Sequence, residues 1–251
     1  MESNIINARK YIRRRPSLSE RLTAIADLVQ ESETLCDVGC DHALIPIELL
    51  QRGKIHRALA MDIIPGPLGK ADLSLKEYLG DYTDLVELRL SDGLQSYRIG
   101  EAQSLVIAGM GGLMIRSILE QDPEKTVSFR ELILGPQSDW GAFRYSLMKL
   151  KLRITEERLI HEDGKYYPLI RAVPTENDRN TDMTEEERMY GPVLLKNQDP
   201  VLREFLYKRK NKLTLILQGI RKEAHPQKAE ELTKELLLVN RALERYPYEE
   251  R

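Results

Sequence analysis

The feature that most constrains the fold is an alternation of short apolar segments with amphipathic segments between residues 17 and 173. The apolar segments have the length of β-strands, and the amphipathic segments carry apolar residues at helical spacing. The predicted strands are 34–38, 57–63, 86–91, 104–108, 131–135, 153–160 and 165–173, and the predicted helices are 17–31, 43–52, 69–79, 112–120 and 139–150. Strands that are separated by single helices predict an α/β fold with a doubly wound, mostly parallel sheet of seven strands.

Local signals mark the two ends of this α/β region. Ser17 and Glu20 have the spacing of a capping box, which predicts that the first helix begins near residue 17. Asp163-Gly164 is a hairpin turn signal, so the last two strands are expected to pair antiparallel. We therefore predict a basic N-terminal arm over 1–16 and a ligand-binding domain over 17–174.

The C-terminal part of the chain is predicted to be a polar linker over 175–198, followed by two long helices. Apolar residues on the second helix recur at alternating steps of four and three, which is typical of a coiled-coil seam. These residues are Leu232, Leu236, Val239, Leu243 and Tyr246. Because His225-Pro226 interrupts the helical pattern, the sequence predicts an antiparallel helical hairpin over 199–246.

The composition excludes several functional classes. A net charge of −2 does not indicate that the chain as a whole binds nucleic acid. Cys36 and Cys40 form no CxxC pair, and the chain lacks the ligand spacing of a zinc site. No segment reaches the ~18 apolar residues of a membrane helix, and the N-terminus lacks the apolar core of a signal peptide. We expect a cytoplasmic protein that binds no metal ion and no membrane, with a monomer favoured.

Acidic residues and glycines follow the predicted strands at the points where a ligand would bind. In an open parallel sheet, ligands bind beyond the carboxyl ends of the strands, where the strand order reverses. The candidates are Asp37, Gly39, Cys40, Asp41 and His42 at the first strand, Asp62 and Ile63 at the second, Asp92 and Gly93 at the third, Gly109, Met110, Gly111 and Gly112 at the fourth, and Gln137 at the fifth. Their shared position at one edge predicts a single binding cleft.

The first turn distinguishes between kinds of ligand. Gly39 permits a tight turn, but Asp41 stands where a dinucleotide-binding turn has a second glycine. A carboxylate here would repel a pyrophosphate and would attract a cationic amino group, such as the one in the amino-acid tail of S-adenosylmethionine (SAM). The alternative is that Asp41 only caps the helix over 43–52, since Asp is a favoured N-cap residue. From this turn alone, the helix-cap interpretation is supported at least as well as the SAM interpretation.

The later strand ends fit the adenosine half of the same ligand. Asp62 lies where a carboxylate can accept hydrogen bonds from ribose hydroxyls, and Asp92 can bind the exocyclic amine of adenine. The alternatives are a solvated acid for Asp62 and a turn-forming Asp-Gly for Asp92. The glycines of 108–112 indicate that the backbone approaches another group closely, although a plain strand-to-helix turn would need one of them.

The motifs LSERL, DVGCDHA, GPLGKA, SDGL, IAGMGG and EDGKYY occur in this order over residues 18–173. In this respect the chain resembles the bacterial tRNA (adenine-22, N1)-methyltransferase family, which has a Rossmann-like class I SAM-dependent fold and a C-terminal helical hairpin. The resemblance implies that the strand-end residues bind SAM, and that Asp41, Gly109, Met110 and Gly111 lie at the reacting atoms. The chain departs from the family pattern at Cys40, at Gly135-Pro136-Gln137 and at Pro168, where serine, Gln-Pro-Asn and glutamate are usual.

The resemblance implies that tRNA is the partner. Positive charge and aromatic rings then predict which residues contact it. Two basic stretches could contact phosphates: Arg9, Lys10, Arg13, Arg14 and Arg15, and then Lys208, Arg209, Lys210 and Lys212. Candidate contacts to the target base are Gln137, Trp140, Tyr166 and Tyr167. The three aromatic residues are candidates because a base that is turned out of a helix stacks on aromatic rings. The alternatives are a solvated helix face for the cations and core packing for the aromatic residues.

Three other functions remain open from the sequence. A dinucleotide-dependent oxidoreductase conflicts with Asp41 and His42 in the first turn. A SAM-dependent methyltransferase could act on another RNA site or on a small molecule. A non-catalytic protein that binds SAM or tRNA on the same fold is the third possibility, because a fold does not determine a function.

Overall fold

The computed structural model describes residues 14–176, 183–220 and 225–247. Its sheet has seven strands in the order β3-β2-β1-β4-β5-β7-β6. The strands are β1 (Ser32–Val38), β2 (Ile55–Asp62), β3 (Val86–Leu90), β4 (Ser104–Met110), β5 (Glu131–Pro136), β6 (Leu152–Glu162) and β7 (Lys165–Pro174). The first five strands pair in parallel, and β7 runs antiparallel to both β5 and β6. The predicted α/β fold with a mostly parallel seven-stranded sheet is confirmed.

Helices cover both faces of the sheet. They are α1 (Glu20–Leu28), α2 (Leu44–Arg52), α3 (Pro65–Leu79), α4 (Gly112–Gln121), α5 (Pro123–Ser128), α6 (Trp140–Lys149), α7 (Glu185–Tyr190), α8 (Pro192–Lys196), α9 (Pro200–Gly219) and α10 (Pro226–Leu243). A 3₁₀ segment, Gly80–Leu85, leads into β3. The short helix α5 was not predicted.

The core lies in two layers, one on each face of the sheet. Neighbouring strand residues point to opposite faces, so Leu35 packs with α1, α2 and α3, whereas Cys36 packs with α4 and α6. All four residues from Leu35 to Val38 are buried, and so are all six of β5. Continuous burial explains why these strands read as apolar runs without alternation.

The first helix begins at Glu20, three residues later than the capping box at Ser17 predicts. Ser19 is the N-cap, and its hydroxyl accepts a hydrogen bond from the Leu22 backbone N–H. Glu162, at the end of β6, binds another free backbone group in the first turn: its carboxylate accepts a hydrogen bond from the Arg21 backbone N–H at 3.0 Å. The predicted starting point was therefore wrong, because Ser19 and not Ser17 is the N-cap.

The segment 175–198 differs from the predicted linker, because it contains α7 and α8. Thr184 and Glu187 form a capping box at the start of α7. Tyr190, Leu194 and Leu195 are buried against the C-terminal helices. The polar composition misled the prediction, because the acidic residues occupy the first turn of α7, where they favour helix formation.

A buried ion pair joins α7 and α8 to the sheet domain. The Nε of Arg144 on α6 donates to Glu157 on β6 at 2.7 Å, and both side chains are fully buried. The second oxygen of Glu157 accepts a hydrogen bond from the Val193 backbone N–H at 2.8 Å. Arg144 also donates to the carbonyls of Arg188 and Met189. The pair therefore connects four elements, α6, β6, α7 and α8, although the Nη2 of Arg144 is buried without a hydrogen-bond partner among the described residues.

The two long helices, α9 and α10, pack against each other and against the edge of the sheet. Arg209 on α9 donates two hydrogen bonds to Glu235 on α10. Tyr246 donates to the carbonyl of Asp199, which brings the end of α10 beside the start of α9. Leu202, Leu206 and Val239 are completely buried in this cluster, among other residues.

Candidate active site

Two adjoining cavities lie at the carboxyl ends of the parallel strands. The strand order reverses between β1 and β4, so the cavities open at the position where ligands bind in such sheets. The larger cavity has a volume of about 820 Å³ and the smaller one about 410 Å³. Gly39, Asp62 and Met110 line both of them.

The larger cavity contains the candidates from β2 and β3. Asp62, Ile63, Asp92 and Gly93 line its wall, together with α4 along nearly its whole length. Asp62 is buried, and one of its carboxylate oxygens accepts a hydrogen bond from the Ile64 backbone N–H at 3.1 Å. Ile63 is 57 % exposed and Asp92 is also exposed. The cavity thus offers three carboxylates, those of Asp62, Asp92 and Glu120, together with an apolar surface.

The smaller cavity contains the candidates from the first turn. Asp37, Cys40, Asp41, His42 and Gln137 line it. The structure therefore brings every strand-end candidate with a polar side chain into one of two adjoining cavities.

The first turn places three residues in left-handed backbone conformations. Gly39 has φ +74°, Asp41 has φ +44° and Ala43 has φ +52°. The backbone N–H groups of Gly39 and Cys40 both donate to the carbonyl of Met61, which fixes the turn against β2. The N-cap of α2 is Ala43, and no side chain caps this helix. The interpretation that Asp41 is only a helix cap is therefore wrong.

The carboxylate of Asp41 faces solvent, with the Lys70 ammonium nitrogen at 3.9 Å and a His42 ring nitrogen at 3.7 Å. Asp37, in contrast, is almost fully buried. Burial, followed by the negative charge of Asp62, raises the pKa of Asp37 from 3.8 to about 7. Burial also raises the pKa of the Cys40 thiol, so this cysteine is a neutral wall residue.

The glycine-rich exit of β4 is irregular. The register with β5 shifts between Ala108 and Met110, and Gly109 has φ +83°. A β-bulge of this kind redirects the following side chain. A Cβ on Gly112 would lie 2.5 Å from the carbonyl oxygen of Ser138. At Gly112, therefore, the group that the backbone approaches closely belongs to the protein itself and not to a ligand.

Arg21 is a site residue that was not identified from the sequence. It lines the smaller cavity, half-buried, and its guanidinium lies 4.7 Å from the ring centre of Tyr167. Its Nε is buried and has no hydrogen-bond partner among the described residues, with the nearest carboxylate oxygen of Glu162 at 3.9 Å. The only signal was its place in the LSERL motif before the first strand.

Of the candidate RNA-binding residues, Gln137 lines the smaller cavity, whereas Trp140 and Tyr166 line neither cavity. Trp140 and Tyr166 pack against Phe205 on α9, and Tyr166 also stacks on His161 with 4.2 Å between ring centres. Of the aromatic candidates, only Tyr167 lies beside a residue that lines a cavity. Core packing, the alternative interpretation, describes Trp140 and Tyr166 better.

The cations of the two basic stretches have different environments. Lys208 pairs with Glu204, and Arg209 pairs with Glu235, so both are already bound within the protein. Lys210 is half-buried and Lys212 is exposed. At the N-terminal stretch, Arg14 pairs with Glu77 and Arg15 is exposed. Arg9, Lys10 and Arg13 lie outside the described residues.

Two further searches concern only residues 14–176, 183–220 and 225–247. No helix there combines the length and the apolar character that are needed to cross a bilayer. The same residues contain no group of three or more His, Cys, Asp or Glu side chains that could hold a metal ion.

Known proteins resemble this chain over most of its length. A family model described as "Methyltransferase domain" matches residues 18–170. The tRNA (adenine(22)-N(1))-methyltransferase of Bacillus subtilis is 28 % identical over 90 % of this chain and 97 % of its own. A Streptococcus pneumoniae structure in complex with S-adenosyl-L-methionine has a TM-score of 0.79 and 28 % identity, and covers 90 % of this chain and 100 % of its own.

A third relative is the M. capricolum structure named TrmK, solved in complex with the cofactor product S-adenosyl-homocysteine (SAH). It has a TM-score of 0.78 and 26 % identity, and covers 92 % of this chain and 99 % of its own. These likenesses span both the sheet domain and the C-terminal helices. The family match and the two adjoining cavities at the strand ends agree, and the chain belongs to the methyltransferase-domain family.

Proposed function

We propose that this protein is a SAM-dependent methyltransferase that methylates N1 of adenine 22 in tRNA. The observation that carries the proposal is the arrangement of four aspartates along two adjoining cavities, in a chain whose relatives span almost its whole length. An enzyme of this kind acts in the cytoplasm, where its tRNA substrate is.

The side chains that line the cavities fit SAM. Asp62 and Asp92 in the larger cavity provide acceptors for ribose hydroxyls and for an adenine amine. Asp37 and Asp41 in the smaller cavity provide negative charge for the ammonium of the amino-acid tail. The guanidinium of Arg21, which lines the smaller cavity, can donate to the carboxylate of that tail. The larger cavity therefore offers acceptors for the neutral adenosine, and the smaller one offers charges opposite to those of the amino-acid tail.

Bound SAM supplies a methyl group on a sulfonium, and transfer leaves neutral SAH and a cationic 1-methyladenine. The lone pair of adenine N1 forms the new N–C bond while the S–C bond breaks, with its electron pair remaining on sulfur. Because N1 needs no deprotonation, the protein needs no general base here. The exposed carboxylate of Asp41 can offset the positive charge that develops on the base. Most of the rate is expected from alignment, through the backbone of 109–111.

We further propose that residues 17–174 form the catalytic domain and that α9 and α10 form an antiparallel coiled-coil hairpin for tRNA. The contact between Tyr246 and Asp199 and the Arg209–Glu235 pair support an antiparallel arrangement. Lys210 and Lys212 are the phosphate contacts on this hairpin that remain without an acidic partner among the described residues. On the N-terminal side, Arg15 is the described candidate.

The test is methyl transfer from labelled SAM to an unmodified tRNA transcript, followed by nucleoside analysis. The proposal expects 1-methyladenosine, and expects none when adenine 22 is replaced by guanine. Asp62→Asn should weaken SAM binding roughly 10- to 150-fold, because it removes an ionic acceptor worth ~1.5–3 kcal/mol. Asp84→Asn, on the 3₁₀ segment outside both cavities, is the matched control. Tight SAM binding without formation of 1-methyladenosine would support the proposed cofactor site and reject the proposed substrate.

A further inference from the structure

One flexible side chain, that of Met110, lies between the two cavities and lines both of them. Gly39 and Asp62 below it also line both cavities. The methyl group of Met110 lies directly on the backbone of Gly39, so that a Cβ at residue 39 would overlap it. The side chain of Met110 thus occupies the junction where the cavities meet.

A SAM molecule that matches the acids of both cavities must cross this junction. Its adenosine belongs with Asp62 and Asp92 in the larger cavity, and its amino-acid tail belongs with Asp37 and Arg21 in the smaller one. The sulfonium and the methyl group that join the two halves therefore lie where the Met110 side chain lies in the ligand-free protein. Ligand and side chain cannot share this space.

The backbone of residue 110 is held while its side chain is free to turn. The Met110 carbonyl accepts a hydrogen bond from the Gln137 backbone N–H at 2.9 Å, and residue 110 pairs with Pro136 on β5. Methionine has three rotatable bonds and no polar group that needs a partner, so a change of rotamer leaves nothing unsatisfied. Movement of the side chain alone can therefore open the junction without displacing the strand.

We propose that Met110 is a side-chain gate, closed over Gly39 in the free protein and displaced when SAM or SAH spans both cavities. This inference rests on the proposed SAM site and adds its regulation. A closed gate lowers the apparent affinity for any ligand that crosses the junction, because part of the binding free energy is used to displace the side chain. It does not affect a ligand that fills one cavity only. Met110 is thus a positioning residue that acts on the complete cofactor and not on its fragments.

The first experiment observes the gate directly. With [methyl-¹³C]methionine, the Met110 signal is identified among the seven methionines by its loss in Met110→Ala. The proposal expects a nuclear Overhauser contact between this methyl and the Gly39 Hα in the free protein. The contact should persist with adenosine or methionine alone and disappear with SAH. Persistence of the contact in the SAH complex would overturn the gate.

The second experiment measures dissociation constants for SAH and adenosine by calorimetry. In Met110→Ala, SAH should bind at least about threefold more tightly while adenosine changes by less than about twofold, since only SAH crosses the junction. Met114→Ala is the matched control, because Met114 lines the larger cavity alone, and it should change both affinities by the same factor.

The outcomes separate the two proposals. Weaker SAH binding to Met110→Ala would show that Met110 is a fixed wall of the cofactor site, and the gate would be rejected with the SAM site intact. Absence of SAH binding to the wild-type protein would reject the SAM site and the gate together. Loss of the Overhauser contact with adenosine alone would also reject the gate, because adenosine does not span the junction.

Discussion

Replacing Glu157 by glutamine should detach α7 and α8 from the sheet domain. The substitution keeps the size of the side chain but removes its charge, which leaves the guanidinium of Arg144 buried and unpaired. The side-chain amide nitrogen of the new glutamine would also face a hydrogen-bond donor, either the Arg144 Nε or the Val193 N–H. Removing one partner of a buried pair costs ~3–5 kcal/mol, which is a large part of the roughly 5–15 kcal/mol that keeps a domain folded.

Urea unfolding followed by circular dichroism measures this loss, and hydrogen exchange locates it. Protection should fall first in α7 and α8, because Glu157 holds the backbone of α8 and its partner Arg144 holds that of α7. Glu156→Gln is the matched control on the same strand, because its carboxylate pairs with Arg158 and Arg171 at the surface and is 39 % exposed. It should cost less than about 1 kcal/mol. Equal losses in the two variants would refute the reasoning.

Three further results are expected. Gly191→Ala should lower stability by about 1–3 kcal/mol in the same urea assay, because φ is +99° and a Cβ would lie 2.7 Å from the Glu157 carboxylate; an unchanged midpoint would contradict this. Since burial raises the pKa of Asp37 to about 7 in the folded protein, its stabilising contribution is complete below pH 3.8 and is lost as pH rises through 7. Stability measured at pH 5 and 8 should therefore fall more in the wild type than in Asp37→Asn. In tRNA binding measured against salt, Lys212→Ala should reduce the slope by about 1, and Lys208→Ala, which removes a cation already paired with an acid, should change it by less.

The sheet could be predicted because local sequence patterns indicate the order of strands and helices along the chain. Short apolar runs that alternate with single helices allow few topologies, and the strand ends of a parallel sheet meet at one edge. For this reason Asp37, Asp41, Asp62 and Asp92 were assigned to one cleft without knowledge of their distances. The hairpin at Asp163-Gly164 was predictable from its turn residues.

The features that were missed depend on contacts between distant segments. Arg21 enters the cavity because α1 packs beside the start of β7, which no local pattern indicates. The position of Met110 between the cavities depends on its contact with Gly39, in the turn that follows the neighbouring strand β1. The fold of 185–196 depends on Glu157, almost thirty residues before it. Lys208 seemed a free cation because its partner, Glu204, stands just outside the basic run.

The strand order has a consequence for synthesis on the ribosome. β7 lies between β5 and β6, so β6 leaves the ribosome before the strand that connects it to the sheet exists. Until residues 165–174 have emerged, the edge of β5 has no partner on that side, and the apolar face of β6 has no place to pack. An unpaired strand edge of this kind invites association with other chains. The last strand to be translated therefore completes the sheet from within, and a nascent chain that pauses before it is the one most exposed to aggregation.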